Sequence, residues 1–168
     1  MRHLMCVRWA MAVGLLAILL GAGSTEAVAQ TPLPGFRVVR PDGTAVSSAQ
    51  LAPGDQWLLI YLAPGCPSCD RLLAALKDWQ SPALLERAVI VVGGQAPTAQ
   101  SYIQRTEPSE VSSIAWYADA GNEAWTALRL TGTPVLVGVR KGVVEWAVSG
   151  VLNDPAALES VVKTWVGQ

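Results

Sequence analysis

The chain has 168 residues, with 12 Lys+Arg against 13 Asp+Glu, a formal charge of −1, and 51% hydrophobic residues. That balance gives no basis for a nucleic-acid partner or an anionic-membrane surface, both of which require clustered basic charge. The length fits one domain, and with 3 Cys and 1 His the chain is poor in metal ligands from the outset.

Residues 1–29 read as a signal peptide. Arg2 and Arg8 give a positive start, Trp9 to Gly23 is apolar and uncharged, and Ala27-Val28-Ala29 offers a small-x-small site for cleavage before Gln30. The alternative is an uncleaved anchor over residues 9–25, at the lower limit of the roughly 17–25 apolar residues that span a bilayer. Either way the folded part is periplasmic or otherwise exported, where disulfides persist. Cleavage leaves 139 residues and removes Cys6, His3 and all three Met, so only Cys66 and Cys69 remain. Two cysteines without His or Met cannot fill a zinc or copper site in one chain. No metal is expected, and histidine acid–base chemistry is excluded; sulfur redox chemistry is what is left.

Residues 30–35 read as a flexible leader, and 36–168 as the domain. Phe36–Arg40 and Thr44–Val46 pair as short strands about the turn Pro41-Asp42-Gly43. Ser47–Leu51 reads as a helical turn. The near-continuous apolar run Gln56–Leu62 reads as a strand buried on both faces. Pro67–Trp79 reads as a helix with the stripe Leu72, Leu73, Leu76 and Trp79, and Pro67 suits its first position. Ala83–Arg87 is a short second piece. Val89–Val92 is the next strand, and Gly93-Gly94 behind it reads as a turn, only half of a dinucleotide fingerprint. Thr98 is expected to cap a helix to Arg105, Ser113–Tyr117 to form a strand, and Glu123–Leu130 a helix. Pro134–Val139 and Val143–Ser149 form a hairpin about Arg140-Lys141-Gly142. A final helix opens with Asp154 as N-cap and Pro155 behind it, burying Leu158, Val161, Val162 and Trp165. The Trp residues beyond Trp9 are assigned to the core.

The stretch between the buried strand and its helix carries the chemistry. Ala63-Pro64-Gly65-Cys66-Pro67-Ser68-Cys69 places two cysteines two residues apart at a helix start, the arrangement of a redox dithiol. Free backbone N–H groups and the helix dipole favour a thiolate there. Cys66 is read as the nucleophile and Cys69, on the first turn, as the resolving thiol that closes a small disulfide ring. Pro67 and Ser68 modulate the pair in opposite senses. Pro67 removes a backbone donor, whereas Ser68 brings a hydroxyl and an N–H.

Strand–CxxC–helix, an alternating β/α middle, then Thr-Pro, a hairpin and a last helix together resemble the thioredoxin fold over roughly Pro34–Val166. The resemblance implies an α/β fold: a central mixed sheet flanked by helices, with an N-terminal β-hairpin extension and a βα insertion at Val89–Val92 and its helix. Pro34-Gly35-Phe36, Asp42-Gly43 and Leu51 look like exported TlpA/ResA-type proteins. Ala63–Leu73 is most similar to the MauD type, which shares C-P-x-C followed by a basic-Leu-Leu run. The resemblance also implies a cis Thr133–Pro134 bond packed against the disulfide, with Thr133 pairing to an extended substrate; Gly132-Thr133-Pro134 resembles the same loop in DsbC-type isomerases. Three departures stand out. Gly65 replaces a Trp, Ile60 takes the place of thioredoxin's buried acid, and Leu72 that of the ResA-type Glu. Asp70 is then the nearest carboxylate for proton transfer. Peroxiredoxin fits poorly, with Leu59 where its Pro belongs.

The expected function is thiol–disulfide exchange on client proteins, in the reducing direction. It would serve cytochrome c maturation or enzyme assembly, recharged by a membrane electron donor of the CcdA/DsbD kind, with no cofactor beyond the Cys66–Cys69 disulfide. An oxidase or isomerase of the same fold, and a redox-silent assembly factor with a structural disulfide, are the alternatives.

Overall fold

The computed structural model describes residues 31–79, 81–106, 113–150 and 155–167. In chain order the elements are β1 (Thr31–Pro32), β2 (Arg37–Val39), β3 (Ala45–Ser47), α1 (Ser48–Leu51), β4 (Gln56–Leu62), α2 (Pro67–Trp79) and α3 (Pro82–Arg87). They continue with β5 (Ala88–Gly93), α4 (Ala96–Thr106), β6 (Ala115–Asp119), α5 (Glu123–Ala127), β7 (Val135–Arg140), β8 (Val143–Ser149) and α6 (Pro155–Val166). The strands form one mixed sheet in the order β1-β8-β7-β4-β5-β6-β2-β3. β4, β5 and β6 run parallel, while β7 lies antiparallel to β4 on its other side. With helices on both faces, this is the thioredoxin fold that the sequence led us to expect.

Strand β4 shows why its sequence is continuously apolar. Leu58, Ile60 and Leu62 enter one core with the α2 stripe, Tyr102 and Ile103 of α4, and Val162 and Trp165 of α6. Trp57, Leu59 and Tyr61 alternate onto the opposite face, among Phe36, Val38, Leu51 and Ala124. A strand covered on both sides has no solvated face to carry polar residues. Each fully buried Leu contributes on the order of 1.5–3 kcal/mol, and this strand ends where the cysteine loop begins.

Several boundaries differ from expectation. The leader is not loose at Thr31–Pro32, which pair with Val144 and Val143 of β8, and the Leu33 N–H donates to the Gly142 carbonyl at 2.8 Å. Thr98 does not cap α4. The helix starts two residues earlier, and Thr98 already donates its N–H to the Gln95 carbonyl at 2.9 Å. Helix α5 stops at Ala127 rather than Leu130 because Arg129 turns to φ 53°. The Arg129 and Leu130 N–H groups then fold back onto the Thr126 and Trp125 carbonyls, a Schellman closure with Arg where Gly is usual. Val161 is 51% exposed, since the buried face of α6 follows Leu158, Val162, Trp165 and Val166. Trp57, Trp79, Trp116 and Trp165 are core residues, whereas Trp125 and Trp146 are only half-buried. Asp154 and residues 1–30 lie outside the described residues.

Candidate active site

Strand β4 delivers the chain through Ala63 and Pro64 to Gly65, whose φ of +74° turns it into the helix start. Only Gly adopts that conformation without strain. Cys66 caps α2: its carbonyl accepts the N–H groups of Cys69 and Asp70 at 2.9 and 3.3 Å. Pro67 and Ser68 occupy the first two helical positions. Cys66 and Cys69 are joined in a disulfide with their Cα atoms 5.2 Å apart.

The two sulfurs are not equivalent. Cys69 is fully buried in the main core, while Cys66 is half-buried at its margin. The N–H that meets the Cys66 sulfur is that of Cys69, at 3.2 Å. The Ser68 hydroxyl instead accepts from the Arg71 guanidinium at 3.2 Å, along the helix face. On the other side the Thr133 carbonyl oxygen stands 3.6 Å from the Cys66 sulfur. The Thr133–Pro134 bond is cis, and the Pro134 carbonyl accepts from the Gly150 N–H at 2.8 Å, which ties this loop to the end of β8. The fold thus brings Cys66, Cys69, Thr133 and Pro134 together from the C-terminal end of β4 and the adjoining start of β7.

Asp70 follows Cys69 on the first turn, with its side chain engaged by α4. Its Oδ1 accepts from the Tyr102 hydroxyl at 3.2 Å. Burial, and then the neighbouring Asp70 charge, push the Tyr102 phenol up to about 12. This link between the cysteine helix and the βα insertion was not visible in the sequence. The only hint was a Tyr in the apolar stripe of α4, whose hydroxyl needs a partner when buried.

A second polar cluster lies under the C-terminal ends of the parallel strands. Asp119, fully buried, accepts from the Tyr61 hydroxyl at 2.8 Å and from the Ala124 and Trp125 N–H groups at 3.2 and 3.0 Å. The carboxylate does the capping that Asn122, itself left-handed at φ 55°, does not. Burial and the Asp119 charge drive the Tyr61 phenol far above the ordinary tyrosine range. Tyr61 lies flat against Gly93, where an added Cβ would come within 2.3 Å of its hydroxyl. Above this cluster opens a cleft of about 420 Å³, bounded by Ala63 and Pro64 of the cysteine loop, Gly93 and Gly94, and Trp125. Among the described residues no group of three or more His, Cys, Asp or Glu could hold a metal ion, and no helix is long and apolar enough to cross a membrane.

No protein-family model and no curated protein matches the chain. Solved structures do. A secreted Mycobacterium tuberculosis disulfide oxidoreductase, described as homologous to E. coli DsbE, superposes with a TM-score of 0.57 at 18% identity, over 77% of this chain and 95% of its own. A thiol:disulfide interchange protein of the thioredoxin family from Chlorobium tepidum gives 0.58 at 21% identity, over 82% and 97%. The pneumococcal exposed lipoprotein thioredoxin from Streptococcus pneumoniae gives 0.60 at 13% identity, over 77% and 98%. At these identities the likeness establishes the thioredoxin fold.

Proposed function

We propose that the protein is an exported thiol–disulfide oxidoreductase that exchanges disulfides with client proteins through Cys66 and Cys69. The observation that carries this reading is the asymmetry of the pair: one sulfur accessible at a helix start, the other sealed in the core beneath it. In the reducing direction the Cys66 thiolate attacks one sulfur of a client disulfide. A Cys66–client disulfide forms, and the other client sulfur leaves as a thiolate. Cys69 then gives up its proton, with Asp70 the nearest carboxylate along the chain, and attacks the Cys66 sulfur. The intramolecular disulfide closes, the second client thiol departs, and two electrons have passed from the dithiol to the client. The helix start and the Cys69 N–H favour a thiolate at Cys66. The Thr133 carbonyl accepts from a thiol but repels a thiolate, so it moderates that preference. The Thr133 backbone is the edge on which an extended client segment pairs.

Named neighbours in thiol:disulfide interchange support the reading. The finer assignment is reduction of clients in cytochrome c maturation or enzyme assembly, with a membrane donor of the CcdA/DsbD kind restoring the dithiol. The equilibrium reduction potential, from dithiothreitol or glutathione titration with thiol alkylation, tests it. A value at or below roughly −230 mV supports the reductase, whereas about −120 to −180 mV assigns an oxidase or isomerase. A pair that does not titrate short of unfolding is a structural staple, and the enzyme reading falls.

A further inference from the structure

The cleft beside Pro64 lies where the chain path itself opens the sheet. β5 is followed by α4, which packs on the face of Ile60 and Ile90. Its parallel neighbour β6 is followed by α5, whose Ala124 packs on the opposite face, with Leu59 and Val91. Where neighbouring parallel strands send their helices to opposite sides, a crevice opens at their carboxyl ends, and open α/β sheets bind ligands there. The Gly93-Gly94 turn forms its floor, and the chain keeps Gly93 free of a side chain because Tyr61 already fills that space.

The lining selects the chemistry. Pro64 and Trp125 present apolar rings, and Gln95, Thr98 and Asn122 present uncharged donors and acceptors; among the described residues none that lines the cleft is charged. Asp119 beneath it is fully buried and already holds three donors, so its charge disfavours an anion while leaving little for a cation to bond. An uncharged planar group, aromatic or carboxamide, suits these walls. Pro64 is two peptide steps from Cys66, which keeps their Cα atoms within about 7.6 Å. An extended polypeptide advances about 3.3 Å per residue, so a client residue two to four positions from its reacting cysteine reaches the cleft.

We propose that this cleft is a specificity pocket of the exchange site, taking an uncharged planar side chain of the client two to four residues from the client cysteine. The assignment rests on the exchange reading above. It makes recognition two-sided: the Thr133 edge holds the client backbone on one flank of Cys66, and the cleft reads a side chain on the other.

The test uses disulfide-linked homodimers of blocked peptides, acetyl-Cys-Ala-Ala-Xaa-amide, reduced by the dithiol form of the protein in single turnover. Tyr, Trp or Gln at Xaa is expected to react about tenfold faster than Ala, Glu or Lys, the scale of one well-placed contact. Thr98→Trp, at an exposed helical position, fills the cleft and brings the Tyr-to-Ala ratio to about one. Trp125→Ala lowers the same ratio. Reduction of all the peptides at one rate, or a ratio that survives Thr98→Trp, overturns the pocket and leaves the exchange reading standing. Failure to reduce any of them overturns the exchange reading, and the pocket with it.

Discussion

Asp119→Ala should be among the most damaging substitutions in the molecule, although Asp119 contacts neither sulfur. Three donors converge on its carboxylate: the Tyr61 hydroxyl, buried at 2.8 Å, and the N–H groups of Ala124 and Trp125 at 3.2 and 3.0 Å. A buried donor left without its acceptor costs about 1–3 kcal/mol. That charge applies in full to Tyr61 and Ala124; the Trp125 N–H is half-buried and regains water, for about 0.5–1 kcal/mol. The expected loss is thus about 2.5–7 kcal/mol, a large share of the ~5–15 kcal/mol that hold a domain together. Asp119→Asn retains one acceptor oxygen and should lose about half as much. Urea unfolding followed by circular dichroism measures both, with unchanged slope as the check on two-state behaviour. The decisive form is a cycle with Tyr61→Phe, which deletes one of the three donors. Asp119→Ala should then cost about 1–2 kcal/mol less in the Tyr61→Phe background than in the parent. A loss below about 1 kcal/mol, or additivity of the two substitutions within about 0.5 kcal/mol, would refute the accounting.

Other predictions follow from close approach, backbone conformation and titration. Gly93→Ala should cost about 1–3 kcal/mol by overpacking. Because the nearest atom is the Tyr61 hydroxyl, adding Tyr61→Phe should restore part of the loss in thermal unfolding; no restoration would place the clash elsewhere. Gly65→Ala meets open space but a φ of +74°, so about 1 kcal/mol is expected from the backbone alone, read as a shifted urea midpoint. The Tyr102 phenol is raised in the folded state, so its contribution is intact below pH ~10 and is lost as pH rises from ~10 towards its folded value of about 12. Tyr102→Phe should therefore flatten the alkaline fall in stability between pH ~9.5 and 11.5; equal slopes in the two proteins would count against the Tyr102–Asp70 contact. Cys69→Ser should accumulate a Cys66–client mixed disulfide on non-reducing gels, and Cys66→Ser should not.

The architecture was legible because its signals are local and mutually consistent. β4 and α2 match their expected spans to the residue, since an unbroken apolar run, a Pro at the helix start and a 3.6-residue stripe all act within a few positions. The cysteine pair and the Thr-Pro loop were legible as motifs. What the chain order hid is what three-dimensional partners decide. Thr31–Pro32 has no strand pattern of its own and is ordered by β8. Thr98 has a capping side chain, yet α4 begins earlier at Ala96, so propensity yielded to context. Asp119 carries no signal in the sequence, because the Tyr61 hydroxyl it accepts is 58 residues away in the chain. The pairing of Tyr102 with Asp70 is long-range in the same way. The cleft depends on which face each helix takes, and composition does not carry that information.

The unequal burial of the two sulfurs also bears on how the protein weathers peroxide. Oxidants reach thiols from solvent, and a thiolate climbs from sulfenic to sulfinic and sulfonic acid, the last two beyond ordinary repair. Cys69, with no exposed surface, is shielded from the first rung. Cys66 can take it, but its sulfenic acid forms within reach of a thiol three residues away, and their condensation to the disulfide expels water and ends the climb. On the exchange reading proposed above, the oxidised product is the same disulfide that a turnover leaves behind. A burst of oxidant therefore empties the protein of electrons without scarring it, and its recovery needs only a reductant.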